Sequence, residues 1–302
     1  MIDFVTLAFN NNIEIELLKL QAKSFLYVEP EFIGKIFIFY NDNGNDKLEF
    51  IKEYYPKKFI GKVNIIYKDS IFGKNINSDW RNQQYYKLFI SNFIVSKYYV
   101  VLDAKNHFIR QINLNDFIKN NKPKIFVSTP GNMLKYYKNC LAYFKINDPF
   151  NCTFNDCEQI SNRKSTFLTT TPFIFIKEEV LNLIKYIETK EKMTFYDFFM
   201  QNKSITEFYL YSTYLLFSNN INKHEIVERD NFVVTIFRNP NINWNKYESK
   251  KKAIKNNKVK VFGLHRKAVE KMDDNYKRNL MTLYSNFYDK EICTMIRSIL
   301  YP

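Results

Sequence analysis

The 302-residue chain is short of the residues that make joints and staples. It holds 6 glycines and 8 prolines, too few for a flexible linker between separately moving modules. Its 4 cysteines stand at 140, 152, 157 and 293, and none forms a CxxC pair. With only 3 histidines in the chain, this spacing points away from a zinc site and toward free thiols in a reducing compartment. No apolar run approaches the ~20 residues of a membrane-spanning helix. The start, MIDFVTLAF, lacks a basic segment before its apolar stretch, so no signal peptide is expected. No internal repeat of roughly 20–50 residues is found. Together these absences predict a cytoplasmic protein, or one peripheral at the inner membrane face.

What is present is apolar and basic. Hydrophobic residues make up 46% of the chain, enough for a sizeable core and too many for disorder. The length suits one large α/β domain, or a domain with an appended lobe. The formal charge of +14 raises nucleic acid and anionic membranes as partners. Heavy use of Asn, Lys, Ile, Phe and Tyr throughout is a competing, compositional cause. The charge is uneven, however: residues 245–278 hold twelve Lys/Arg against four Asp/Glu, a net +8. That block is either a solvated charge run or a face toward anionic lipid or a lipid-linked acceptor. No RNA- or DNA-binding signature accompanies it, so no nucleic-acid partner is expected.

Strand and helix patterns alternate through the first hundred residues. DFVTLAF (3–9), KIFIFYND (35–42), KVNIIYKD (62–69) and YYVVLDA (98–104) read as strands. Between them, IEIELLKLQAKSF puts Ile15, Leu18, Ala22 and Phe25 on one helical face. LEFIKEYY is a short helix stopped by Pro56. Residues 80–96 form a helix with Trp80, Tyr85, Leu88, Phe89 and Phe93 on one side. Apolar strands joined by helices imply a mostly parallel sheet covered on both faces, with ligands at the carboxyl ends of its strands. Those ends carry Asn10, Asn41, Asp42, Asp69 and Asp103. Later, INLNDFIKNN reads as a short helix, KIFVSTPGN as a strand and turn, and LKYYKNCLAYF as a helix. TTTPFIFIKEEV turns from strand to helix near Glu178. SITEFYLYSTYLLFSN is a helix with Ser204 as its N-cap. NFVVTIF is a late strand, FGLHRKA joins strand to helix through a Gly-Leu-His loop, and the C-terminal stretch from Asn279 is helical and amphipathic.

Six pieces in order, VTLAF, SDWRNQQYYKL, YYVVLDAKNHFIR, TPFIFIKEEV, TEFYLYSTYL and FGLHRKA, resemble GT-A-type glycosyltransferases. More narrowly, they resemble bacterial glycosyltransferase-like proteins of surface-polysaccharide (capsule or O-antigen) gene clusters. The resemblance runs from residue 5 to about 268. It implies a single GT-A-like domain: a nucleotide-binding half at about 1–110, an acceptor half at about 111–270 and C-terminal helices beyond. It also implies a nucleotide-sugar donor, a glycan or glycolipid acceptor, and an Asp-x-Asp motif that holds Mn²⁺ or Mg²⁺ against the donor diphosphate.

Carried over residue by residue, Ala8, Phe9 and Asn10 match the loop at the nucleoside base, and Asn41 a second loop near base or ribose. An ordinary strand–helix turn is the plainer reading of both. Gln83, Gln84 and Lys87 lie within reach of a donor sugar or phosphates, or else form a solvated face with Trp80 packed in the core. Asp103 matches the first Asp of the motif, but position 105 is Lys. Two outcomes stay open. Asp103 binds a cation with His107 or His265 completing the site, or the Lys105 ammonium stands where a cation would. His265, followed by Arg266 and Lys267, fits the late histidine that meets metal or diphosphate. Thr171, Pro172 and Tyr209 fall toward the acceptor side. Glu207, near a helix start, matches the base that takes the acceptor proton, or simply suits the helix dipole. The rival class is a non-catalytic basic protein of the same fold that binds an anionic glycan or nucleotide.

Overall fold

The computed structural model describes residues 1–41, 48–73, 79–128, 133–150, 166–228, 232–237, 252–255 and 258–301. Asp42, Cys152, Cys157 and the 245–251 and 256–257 parts of the basic block lie outside the described residues. The chain divides into two compact units: Met1–Ser78 with Val101–Leu114 and Asp230–Pro302, and Asp79–Val100 with Asn115–Arg229. The architecture is mixed α/β, with sheets flanked by helices. No helix among the described residues is long and apolar enough to cross a membrane.

In the first unit, β1 (Ile2–Ala8), β2 (Ile33–Tyr40) and β3 (Val63–Tyr67) lie in the order β3-β2-β1 and pair in parallel. The Val101–Asp103 end of β4 (Tyr98–Asp103) follows β1 in strand order. All seven residues of β1 are buried, as a strand covered on both faces requires. Helix α1 (Asn12–Ser24) starts where the Asn11 side chain accepts a hydrogen bond from the Glu14 N–H, 3.2 Å. Leu18, Ala22 and Phe25 are buried as expected, but so are Leu17, Leu20, Gln21 and Ser24. The stripe is wider because α1 also packs against the C-terminal helix. Two single-turn helices, α2 (Lys57–Ile60) and α3 (Lys68–Phe72), flank β3.

A second sheet of this unit contains β5 (Asn106–Phe108), β11 (Val233–Ile236) and β12 (Val261–Leu264), in the order β11-β12-β5. Gly263 and Leu264 belong to β12, not to the expected loop. A side chain at 263 would place its Cβ 2.5 Å from Thr235 Oγ1, so glycine is set here by close approach. The C-terminal stretch is two helices, Asp274–Tyr284 and Lys290–Leu300, N-capped by Asp273 and Asp289.

The second unit has a sheet centred on β7 (Lys122–Ser128). β10 (Glu225–Glu228) pairs with it in parallel, and β6 (Ile118–Lys119) and β8 (Thr166–Phe167) in antiparallel. Residues 112–121 are therefore not a helix. A 3₁₀ turn at Leu114–Asp116 leads into β6, and Asn120 and Asn121, both at positive φ (51° and 62°), reverse the chain into β7. Two left-handed residues in a two-residue hairpin loop favour asparagine, which is the signal a helical reading overlooks. The helices are α4 (Trp80–Phe89), α5 (Leu134–Phe144), α6 (Lys177–Glu191), α7 (Phe195–Gln201) and α8 (Glu207–Phe217), with α6 entered directly from β9 (Phe173–Ile176). α4 ends seven residues before the expected limit. Trp80 is 57% exposed and so no part of the core row. Thr206, not Ser204, occupies the N-cap position of α8.

One buried side chain ties the first unit together. Gln21 accepts a hydrogen bond from Thr6 Oγ1 of β1 at 2.7 Å. Its amide nitrogen donates to the carbonyls of Asp103 and Asn106, each at 2.8 Å. Asn106 Oδ1 closes the same turn by accepting from the Asp103 N–H at 2.9 Å. From the other side, Leu264 N–H of β12 donates to the Lys105 carbonyl at 2.9 Å. Gln21→Ala leaves a hydroxyl and two carbonyls without their partner in a dry interior. It is expected to lower unfolding free energy by about 3 kcal/mol in denaturant titrations, where a loss within experimental error would contradict the tie.

Candidate functional site

The pinned turn Asp103–Asn106 sits at the carboxyl end of β4. Its two charged side chains meet: Lys105 Nζ is ion-paired with Asp103 Oδ2, both partly exposed. The β12–β5 ladder sets Gly263 opposite Asn106, so His265 and Arg266 follow β12 just past its end. Arg266 stacks over the Phe9 ring at 5.3 Å and pairs with Glu270 at 3.3 Å. Glu14, in the first turn of α1, lies in the field of Asp103, Lys105 and Arg266. Burial first, and then the Asp103 charge, raise its carboxyl to about 7, against the pull of the two cations. Three acids, Asp103, Glu14 and Glu270, and two cations, Lys105 and Arg266, thus gather beyond the ends of β1, β4 and β12.

A cleft of about 390 Å³ opens in the same unit. It is lined by Asn10 and Asn12 after β1, Ile15 and Glu16 of α1, Tyr40 at the end of β2, and Leu48 and Phe50. Of the residues matched to the nucleoside loop, Asn10 lines this cleft, Ala8 is buried and Phe9 supports Arg266. Ala8 and Asn41 are joined, the Asn41 N–H donating to the Ala8 carbonyl at 2.7 Å. The Asn41 side chain is fully buried, and neither amide atom has a hydrogen-bond partner among the described residues.

The histidines divide. His107 is fully buried, with Nε2 2.9 Å from Tyr284 Oη, and burial drives it down to about 3, so it stays neutral. His265 caps its helix: Nδ1 accepts from the Lys267 N–H at 3.1 Å. In the neutral ring that leaves the proton on Nε2 and commits the remaining lone pair. The residues present therefore do not suit a divalent ion. The Asp103 carboxylate is engaged by an ammonium, His107 faces inward, and His265 has spent its acceptor nitrogen on the cap. Among the described residues, no group of three or more His, Cys, Asp or Glu is placed to hold a metal.

In the second unit, Glu207 heads α8 and pairs with Lys87 of α4, Nζ to Oε1 3.1 Å, with side chains only 5% and 11% exposed. Gln84 and Lys87 share the inward face of α4, while Gln83 lies half-buried on another. Arg81, which no sequence pattern singles out, is the organiser. It donates to the carbonyls of Phe199, Asn202 and Ile205 at 3.0, 2.6 and 2.5 Å and to Gln84 Oε1 at 3.2 Å. Carbonyls at a helix C-terminus have few partners within the helix, so the guanidinium joins the local bonds of Asn202 to the Phe198 carbonyl in holding the end of α7 and the chain that leads into α8. Burial lowers Arg81 to about 10, against the charge of Glu207. Thr171, Pro172 and Tyr209 are all buried; the Tyr209 ring lies 5.3 Å from Tyr137.

A family model described as "Family of unknown function (DUF6492)" matches residues 12–246. The chain belongs to this family. The match takes in α1, the pinned turn, α4 and α8, and ends before β12, so in this DUF6492 member His265, Arg266 and Lys267 lie beyond it. No curated protein matches the chain. Among solved structures, it is similar to the galactosyltransferase LgtC in complex with donor and acceptor sugar analogs. That likeness has a TM-score of 0.49 and 11% identity over 97% of this chain and 100% of that one. It is also similar to the bifunctional glycosyltransferase WbbM, with TM-score 0.46 and 14% identity over 94% of this chain and 51% of that one. An active-site mutant of LgtC gives a TM-score of 0.45 and 12% identity, over 96% of this chain and 98% of that one. At such scores no residue role is carried across.

Glu14 gives a measurable signature. An acid that keeps its proton up to about 7 when folded, against an ordinary value of 4.5, makes the folded state lose stability as pH rises through that interval. Glu14→Gln is expected to remove that decline, on the order of 1–3 kcal/mol between pH 4.5 and 7. Parallel stability–pH curves for the two proteins would contradict it.

Proposed function

We propose that this DUF6492 member is a glycosyltransferase that moves a sugar from a nucleotide-sugar donor to a glycan or lipid-linked glycan acceptor. The observation that carries the reading is the charged turn Asp103–Lys105, fixed at the carboxyl end of a strand beside β1. Such ends are where α/β sheets take nucleotides. The cleft lined by Asn10, Asn12 and Tyr40 lies in the same unit and offers amides and an aromatic edge, groups suited to a base or ribose. Sequence resemblance to GT-A-type glycosyltransferases supports the same assignment, and bacterial surface-polysaccharide synthesis is the setting it implies.

The chemistry asks for two things. As the acceptor oxygen attacks the anomeric carbon, the bond to the diphosphate oxygen breaks and negative charge grows on the leaving group. Fixed cations near that group lower the barrier to the extent that they hold the charge added to the already anionic diphosphate as the bond breaks. Lys105 and Arg266 are the cations of the first unit for this task. The acceptor hydroxyl must also lose its proton, and Glu207 is the proposed base. Its pairing with Lys87 keeps the carboxylate in one orientation. A second reading, a binding protein without turnover, draws on Lys105 in place of the second motif carboxylate.

Incubation with a panel of nucleotide-sugars, followed by chromatography of released nucleotide, tests the assignment. Transfer or slow donor hydrolysis is expected, and binding without either would establish the second reading. Glu207→Gln and Lys87→Met each break the buried pair and are expected to cost about 3 kcal/mol of stability. A base further requires that Glu207→Gln lower kcat about 100-fold below Lys87→Met at equal folded fraction. Equal activity in the two variants would assign Glu207 to structure alone.

A further inference from the structure

We infer that Lys105 is a resident counter-cation, and that the chain binds the diphosphate of its nucleotide ligand without a divalent metal. The inference rests on the nucleotide-sugar reading and adds what neutralises the ligand. Two carboxylates and a divalent ion sum to zero charge. One carboxylate and one ammonium, Asp103 and Lys105, also sum to zero. The turn thus offers a diphosphate the same net charge by covalent means, without an ion having to be recruited from solution.

Four further observations agree. The Lys105 backbone is held through its carbonyl by Leu264 N–H at 2.9 Å, and the turn is pinned from behind by Gln21. The ammonium therefore starts from a fixed root. Its side chain is 18% exposed and that of Asp103 28%, so the pair is reachable yet partly desolvated, which strengthens a charge-assisted contact to phosphate. Arg266, in the field of Glu14 and paired with Glu270, adds a second cation against the Phe9 ring. The carboxylate best able to join Asp103 around an ion is Glu14, but its surroundings already include Lys105 and Arg266. A divalent ion there would be placed beside two fixed positive charges.

Calorimetric titration with UDP, GDP, ADP and CDP, in EDTA and again in Mn²⁺ or Mg²⁺, tests this on the whole chain. At least one diphosphate is expected to bind with affinity equal within about twofold in the two conditions. Lys105→Ala should weaken that binding in EDTA by about 10–100-fold, the scale of one lost contact to a charged group. Lys105→Arg should hold it within a few-fold, and Lys105→Asp should bind only when metal is supplied. Binding by the wild-type chain that requires metal, or is unchanged in Lys105→Ala, overturns the inference and leaves the nucleotide reading standing. No diphosphate binding in either condition overturns both. The comparison of EDTA with metal on the wild-type chain needs no variant to fold.

Discussion

The first unit depends on one buried amide. Gln21 sits on the inward face of a helix whose neighbouring inward residues are Leu17, Leu18, Leu20 and Ala22. Placing an amide there is costly unless every lone pair and hydrogen is used. Its oxygen accepts from Thr6, and its nitrogen donates to Asp103 and Asn106. The cost of desolvation thereby becomes a geometric constraint, since no slide of α1 along β1 keeps all three bonds. A tight turn that would otherwise be an ordinary strand exit is fixed from the helix side, and β12 fixes it from the other. Charged side chains rooted on such a turn have few directions in which to point, and Asp103 and Lys105 meet.

The charges around that turn are arranged as compensation more than as excess. Despite a chain charge of +14, the strand ends carry acids and bases in near balance. Glu14 shows how close the balance is: its carboxyl lies where burial and a neighbouring acid resist ionisation while two cations favour it. A bulk count of lysines says nothing of this. The basic excess is largely elsewhere along the chain, and the part that bears on ligand chemistry is two side chains, Lys105 and Arg266.

Much of the fold is legible in the sequence where burial on both sides of a sheet writes continuous apolar runs. β1 to β4 follow from YYVVL and its counterparts within a few residues of their limits. What the pattern misses shares a cause. β6 is two residues long and is announced only by Asn120-Asn121, whose positive φ values no hydrophobic pattern encodes. Trp80 reads as core by chemistry and is exposed because it opens α4 before the packed turns begin. Ser204 reads as a cap, yet its carbonyl is taken by the Asn139 side chain and the helix starts at Glu207. Among the candidate residues, Asp103 and Lys105 of the first unit and Glu207 of the second stand out in the sequence because each breaks a pattern at an element's end. Gln21, Glu14 and Arg81 do not, because their partners are brought near only by folding.

Arg81 reaches across a long span of sequence to complete its contacts. The carbonyls it satisfies belong to residues 118, 121 and 124 positions further along. α7 is a seven-residue helix, too short to persist alone; Asn202 closes its end locally on the Phe198 carbonyl at 2.8 Å, and Arg81 of α4 adds the distant contacts. The boundary between α7 and α8 is therefore completed by a contact from α4, which makes the packing of this corner of the second unit non-local. The same guanidinium that holds the chain before α8 also lies in the field of Glu207, so one distant side chain serves both the backbone entering that helix and the charge at its head.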